Sequence, residues 1–451
     1  MRKVVSPPEY FEQFKLLQKN PEKLAHAMKF FKAVDDKNRY IHWDKLRYKI
    51  PPKGLSLEDW WAIIKLARSA QYKNINLHDK NKRPFQLVLT DYINKILHQI
   101  DCDASGGISS KEPILNSQTR DRYLIRSLWE ESISSSQLEG ASTTRHVAKE
   151  MLQTKRQPRN KDEQMIYNNY LAMRFIQDNR NEKLTPTLIF ELHKIVTEDT
   201  LEDSNKAGKF REDSDDIRVV DITTNDTLHT PPQASELHKK LEQLCDFANT
   251  KQEDIFIHPV VKAIILHFML AYDHPFVDGN GRTARALFYW YMAKENYWLM
   301  EYCSISSVLK KAPAKYSRAF LYTETDTGDL TYFIIHQLDV IKKAIESLHR
   351  YLGRKVESVQ DAKKLLRNNK VLQNSLNSGQ MILLSHALKH PHFVYDIKTH
   401  QTKHAITYET ARKDLMGLSS KIKLLNRLKQ GRAYVYQAPI DLNERLSKLD
   451  K

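Results

Sequence analysis

The stretch HPFVDGNGRTAR at positions 274–285 constrains the fold more than any other in the chain. Just before it, Val260, Ala263, Ile264, Phe268 and Ala271 recur at helical spacing, so 259–273 reads as a buried helix. That helix must end at His274, because Pro275 lacks an amide donor and disfavours helical backbone before it. Just after it, TARALFYWYMAK is a second helical run beginning near Gly281. The connector HPFVDGNG is therefore short, and its last residues form a helix N-terminus.

Such a terminus offers unpaired amides and the positive end of a dipole. Gly279 and Gly281 let the backbone turn tightly and approach a ligand, which makes an anion site. Arg282 and Arg285 lie three apart on one helix face, and their forks match phosphate oxygens. Asp278 beside a polyphosphate can hold Mg²⁺ through one carboxylate. His274 can take a proton from a hydroxyl. A plainer reading also fits: DGNG is a turn sequence, and Asp278, Asn280 or His274 can simply cap a helix. No GK[ST] follows the glycines, so this is not a Walker loop. His258, His267 and His274 lack the partner cluster a zinc site needs.

Elsewhere the pattern is mainly α. The chain has 451 residues and only 12 glycines, enough length for two or three domains. LSLEDWWAIIKLAR (55–68) carries an N-cap candidate in Ser56, and YIHWDKLRYKIPP (40–52) reads as packing over a neighbouring helix. After the loop DCDASGGISSKEP (101–113), helical patterns follow at 117–139, 143–156, 161–179 and 186–199. The segment 206–233 differs: IRVVDITT, a turn and LHTPP predict a small β-hairpin or flap. No apolar run approaches the roughly 18–20 residues that span a bilayer. The first residues lack a signal-peptide core, and Cys102, Cys245 and Cys303 form no disulfide framework. We expect a soluble, cytoplasmic protein with no membrane partner.

The net charge is +16, which favours acidic partners. From Lys355 to Lys451 there are 18 lysines and arginines against 8 acids. There GQMILLSHALK and TYETARKDLMGLSS read as helices, and KIKLLNRLKQGRAYVYQ as strand, turn, strand. Ala411, Leu415 and Leu418 can face a core while Thr410, Arg412 and Lys413 face out. Two helices and a basic hairpin outline a winged helix-turn-helix, a module that contacts DNA or another protein. We expect three parts: a helical region at 1–105, a helical domain at 106–352 and the winged module at 355–451.

HPFVDGNGRTAR resembles the signature of the Fic family, with Ala284 where a second late glycine is usual. The likeness covers roughly 110–350 and implies an all-helical domain with a flap. It implies an enzyme that transfers AMP from ATP to a Ser, Thr or Tyr hydroxyl of a target protein. His274 would be the base and Asp278 the Mg²⁺ ligand. Gly279, Asn280, Gly281 and Arg282 would cradle the α- and β-phosphates, and Arg285 the γ-phosphate. Val219, Val220, His229 and Thr230 of the flap would hold the target in extended form. SSQLEG (135–140) resembles the family's inhibitory signature, with Ser135, Glu139 and Gly140 in place; Glu139 would then pair with Arg285 and block the γ-phosphate. Ser136 and Glu139 also fit a capping box at a helix start. Removal of AMP, transfer of another phosphate-containing group, and DNA-bound regulation through 379–437 stay open. So do self-modification and a homodimer.

Overall fold

The computed structural model describes residues 3–104, 117–220, 225–250, 256–367, 375–389, 392–404, 406–430, 433–439 and 441–448. Contacts divide the chain into two units: Met1–Ser109 with Tyr123–Ile345, and Ser110–Arg122 with Glu346–Lys451. The architecture is mainly helical, with three small antiparallel sheets among the described residues.

The first unit is built around two helices, Pro259–Asp273 and Asn280–Lys294, which pack against each other. Both are buried nearly all round, so each needs partners on every side. Helices Lys161–Asp178 and Pro186–Thr197 supply one flank. Phe268, Phe320 and Phe333 fill the other, with ring centroids 4.5–5.2 Å apart. Cutting Phe268 to alanine would cost about 3–5 kcal/mol. The expected stop is present: helix Pro259–Asp273 ends on His274, whose φ of 46° is left-handed.

The N-terminal stretch is not purely helical, contrary to expectation. Lys73–His78 and Pro84–Leu87 form a hairpin. Asp79 shapes its turn by accepting from the amides of Asn81 and Arg83 at 2.8 Å. Gln86 then exchanges backbone bonds with Gly328 and Leu330. A strand this short gains its place from those distant partners, which local periodicity does not reveal. The aromatic 40–52 segment packs as expected: Ile41, Trp43 and Leu46 bury against Trp60, Trp61 and Ile64. Of the early loop, residues 105–113 lie outside the described residues.

The second unit holds helix Ser378–Lys389, strand Val394–Tyr395, helices Ile397–His404 and Tyr408–Met416, then the hairpin Asn426–Gln430 and Ala433–Gln437. The strand order places Ala433–Gln437 in the middle of the sheet. Helix Ile397–His404 and strand Val394–Tyr395 were not expected. Their polar, histidine-rich sequence shows no amphipathic stripe. Ala411, Leu415 and Leu418 face the core, with Arg412 and Lys413 outside, as expected.

Candidate active site

The 274–281 loop is pinned by its own residues. Asn280 accepts from the Phe276 amide at 3.0 Å and donates to the Phe276 carbonyl at 2.8 Å. Its side chain is thus spent on the loop rather than facing a ligand. Phe276 is fully buried and stacks on His193, centroids 3.7 Å apart. Gly279 has φ 78°, and a Cβ there would come within 2.7 Å of Thr197, so only glycine fits. No side chain caps helix Asn280–Lys294, which leaves its first amides open.

Two arginines lie at this mouth. Arg282 is fully buried; its Nη1 donates to the Val196 carbonyl at 2.8 Å. Its Nε and Nη2 find no hydrogen-bond partner. Burial pushes its pKa down, against the pull of Asp278 and Glu139. Nη2 lies 3.8 Å from Asp278 Oδ2, too long for a hydrogen bond. Buried guanidinium donors without hydrogen bonds are a costly arrangement unless an anion arrives. Arg285 is fully engaged: Nε donates to Ser135 Oγ at 2.9 Å, Nη2 to the Ser135 carbonyl at 3.1 Å, and Nη1 lies 2.8 Å from Glu139 Oε1. Burial opposes its charge, yet Glu139 holds its pKa above the ordinary value. A Cβ on Gly281 would come within 2.1 Å of the same Glu139 oxygen. The anion-binding mouth therefore already holds an anion, the Glu139 carboxylate.

His274 stands beside this mouth. Its Nδ1 lies 3.3 Å from the Ala271 carbonyl, which can only accept, so Nδ1 carries the proton and Nε2 presents a lone pair. Burial lowers its pKa to about 4, so the ring is neutral at pH 7. Asp278 is more than half exposed and bonds the Gly279 amide at 2.5 Å. It is a lone carboxylate: the described residues contain no group of three His, Cys, Asp or Glu set to hold a metal. One carboxylate fits Mg²⁺ that takes its other ligands from phosphates and water. His258 bonds Asp101 and His267 bonds Tyr316, so neither joins a zinc cluster.

Sequence reading missed the residues that hold the loop from outside. Arg211 donates from Nε to the His274 carbonyl at 2.8 Å, from its amide to the Pro275 carbonyl at 2.9 Å, and from Nη2 to the Pro232 carbonyl at 2.5 Å. His193 accepts from the Gly208 amide at 3.0 Å and donates to the Asp278 carbonyl at 2.9 Å. Burial lowers the His193 pKa to about 4, which keeps this one-donor, one-acceptor form at neutral pH. KAGKFR (206–211) carries no motif that announces a carbonyl clamp; only the folded chain brings it to the loop.

The flap forms where expected, with Val219 opposite His229 and Val220 opposite Thr227. Residues 221–224 of that reading lie outside the described residues. His229 does not offer its side chain outward: it is buried, lying 2.7 Å from the Tyr272 carbonyl and 2.8 Å from Glu324. Its side chain thus fastens the flap beside His274. Val220 is exposed, and the Thr230 carbonyl takes the Lys80 ammonium at 3.2 Å.

The Ser135–Gly140 segment closes helix Ser117–Leu138 rather than opening one. Gly140 has φ 101°, as a residue just past a helix end requires. Further up the same helix, Glu131 is buried and accepts from Tyr289 Oη at 3.0 Å, Ser304 Oγ at 2.8 Å, the Ser306 amide at 3.1 Å and Ser306 Oγ. Ser136 Oγ donates to the Met165 carbonyl at 3.0 Å.

Residues 183–292 match the Fic/DOC family. Over 108 residues the chain is 35% identical to a protein adenylyltransferase Fic of Nematostella vectensis, covering 24% of this chain and 22% of that protein. It is 34% identical over 119 residues to the protein of that name from Drosophila grimshawi, covering 26% of this chain and 22% of the relative. The chain thus spans about a fifth of the length of these curated relatives. In fold it is similar to a Fic family protein from Desulfovibrio desulfuricans G20, with a TM-score of 0.50 at 16% identity, covering 78% of this chain and 97% of that one. No helix among the described residues is long and apolar enough to cross a membrane.

Proposed function

We propose that this chain, whose central domain belongs to the Fic/DOC family, transfers AMP from ATP to a hydroxyl side chain of a target protein and restrains itself with Glu139. The observation that carries this reading is the carboxylate seated against Gly281 and Arg285, at a mouth where two Arg282 donors have no hydrogen bond. The mouth is built for more negative charge than Glu139 brings.

In the reaction, Nε2 of His274 takes the proton of the target hydroxyl. The freed oxygen attacks the α-phosphorus of ATP, the bond to the bridging oxygen breaks, and pyrophosphate leaves. The open amides of helix Asn280–Lys294 and the free donors of Arg282 stabilise the phosphate charge as it shifts. Asp278 would hold Mg²⁺, which supplies charge neutralisation to the phosphates when bound. The exposed edge at Val219–Val220 would align the target by strand pairing. Arg285 would take the γ-phosphate once Glu139 withdraws. The brake rests on geometry, since the family match starts beyond residues 135–140.

The test uses ATP labelled on the α-phosphate with cell extract as the source of targets. Glu139→Gly should label protein strongly, the parent weakly, and Glu139→Gly with His274→Ala not at all. Mass spectrometry should find a hydroxyl residue carrying AMP. Labelling that survives loss of His274 would remove its role as base. Release of AMP from modified protein by the parent enzyme, with no labelling by Glu139→Gly, would reverse the proposed direction.

A further inference from the structure

We propose that the C-terminal unit carries a second binding function: it docks on duplex DNA, with helix Tyr408–Met416 entering the major groove and the strands Asn426–Gln430 and Ala433–Gln437 lying on the phosphate backbone. None of the groups at the AMP-transfer site belongs to this unit, so the two functions rest on separate residues.

The helix is divided cleanly. Ala411 and Leu415 are fully buried, whereas Tyr408, Glu409, Thr410, Arg412 and Lys413 are exposed. Its acids do not oppose a polyanion. Asp414 is buried and bonds Asn377 Nδ2 at 2.7 Å and His400 Nε2 at 3.1 Å. Glu409 lies 3.4 Å from Arg412 and is the one exposed acid on the helix.

The hairpin adds exposed cations of its own. Its register sets Arg427 opposite Tyr436 and Lys429 opposite Tyr434, so all four share one face of the sheet. The Arg427 guanidinium lies 3.7 Å over the Tyr434 ring, and both side chains are exposed. Tyr436 turns inward and shares one buried core with Leu415 of the helix. Lys413, Lys421, Lys423 and Lys429 are exposed on the same two elements and the turn between them.

An α-helix about 10–12 Å across fits the B-form major groove, about 12 Å wide. It does not fit the deep, narrow major groove of A-form RNA. The charge match and the helix-beside-hairpin arrangement therefore point to duplex DNA.

The experiment measures binding of the full chain to a fluorescent duplex of random sequence from about 50 to 200 mM salt. Affinity should fall steeply, with a log–log slope of about −3 to −5, as expected for a few phosphate contacts. Arg412→Ala with Arg427→Ala should weaken binding about tenfold or more and flatten the slope by about 2. Arg412→Gln with Arg427→Gln, which keeps the unbranched stem through Cδ and a polar end, should do the same if the alanine pair melts early. In the Glu139→Gly background, AMP transfer should be unchanged by either pair, which separates failure here from failure of the AMP-transfer reading. Absence of binding at low salt, binding untouched by both pairs, or tighter binding to double-stranded RNA would overturn the proposal.

Discussion

Glu131 and Glu139 lie eight residues apart along one segment, yet their surroundings differ completely. Glu131 is buried and receives four donors from the Tyr289 and Ser304–Ser306 region. Glu139 keeps a third of its side chain exposed and has one cationic partner, Arg285, to which Ser135 also binds. A carboxylate with four buried donors cannot leave without stranding them. One held by a single ion pair at a helix end can. The helix therefore has a firmly held root and a lightly held tip, the arrangement that the proposed brake requires.

That contrast can be broken or sharpened by experiment. The largest effect should come from Glu131→Ala, which strands the Ser306 amide and the hydroxyls of Ser304 and Ser306, while Tyr289 keeps the Cys303 carbonyl. A loss of about 3 kcal/mol or more is expected in urea unfolding, roughly a hundredfold in the folding equilibrium. A loss under about 1 kcal/mol would show that the root is not fixed. Next, Glu139→Gly should change stability by about 1 kcal/mol or less while raising AMP transfer at least about tenfold. If it melted the protein as Glu131→Ala does, the two carboxylates would be equivalent anchors.

Arg211 tests whether the reactive loop, like the helix root, is held from outside. Arg211→Lys in the Glu139→Gly background keeps the charge and the backbone bond to Pro275 but loses the guanidinium's grip on the His274 and Pro232 carbonyls. It should lower kcat several-fold, towards the roughly hundredfold that a 1 Å misplacement can cost, with KM for ATP little changed. A rise in KM alone would assign Arg211 to nucleotide binding instead.

The smallest effect concerns pH. Burial holds His274 near pKa 4, so the base is already unprotonated above that value. AMP transfer by Glu139→Gly should vary less than about twofold between pH 6 and 8 and fall only as pH drops towards 5 and below. A half-loss near pH 6.5, the ordinary histidine value, would place the ring in solvent. Stability should shift in the same sense. The unfolded ring protonates below about 6.5 while the folded ring does not, so this group weakens the fold as pH falls.

Much of the site was legible because its chemistry is compressed into twelve residues between two strongly periodic helices. Pro275 and the glycines mark the loop, and Arg282, Arg285, Asp278 and His274 stand where spacing placed them. The flap was legible from its β-branched run. The N-terminal hairpin, Arg211, His193 and Glu131 were not. Each acts on a partner far away in sequence, and no local period encodes such a meeting.

The order of residues by itself determined where the chain turns, which face of each helix is apolar, and that a cluster of glycines and arginines opens one helix. Covalent neighbours and periodicity suffice for that. Tertiary structure alone decided that Asn280 and His229 turn inward, and that Arg211 and His193 reach the loop from outside. Those outcomes depend on which buried donors and acceptors find one another. Buried polar groups must be paired, and the pairs are chosen by packing rather than by position along the chain.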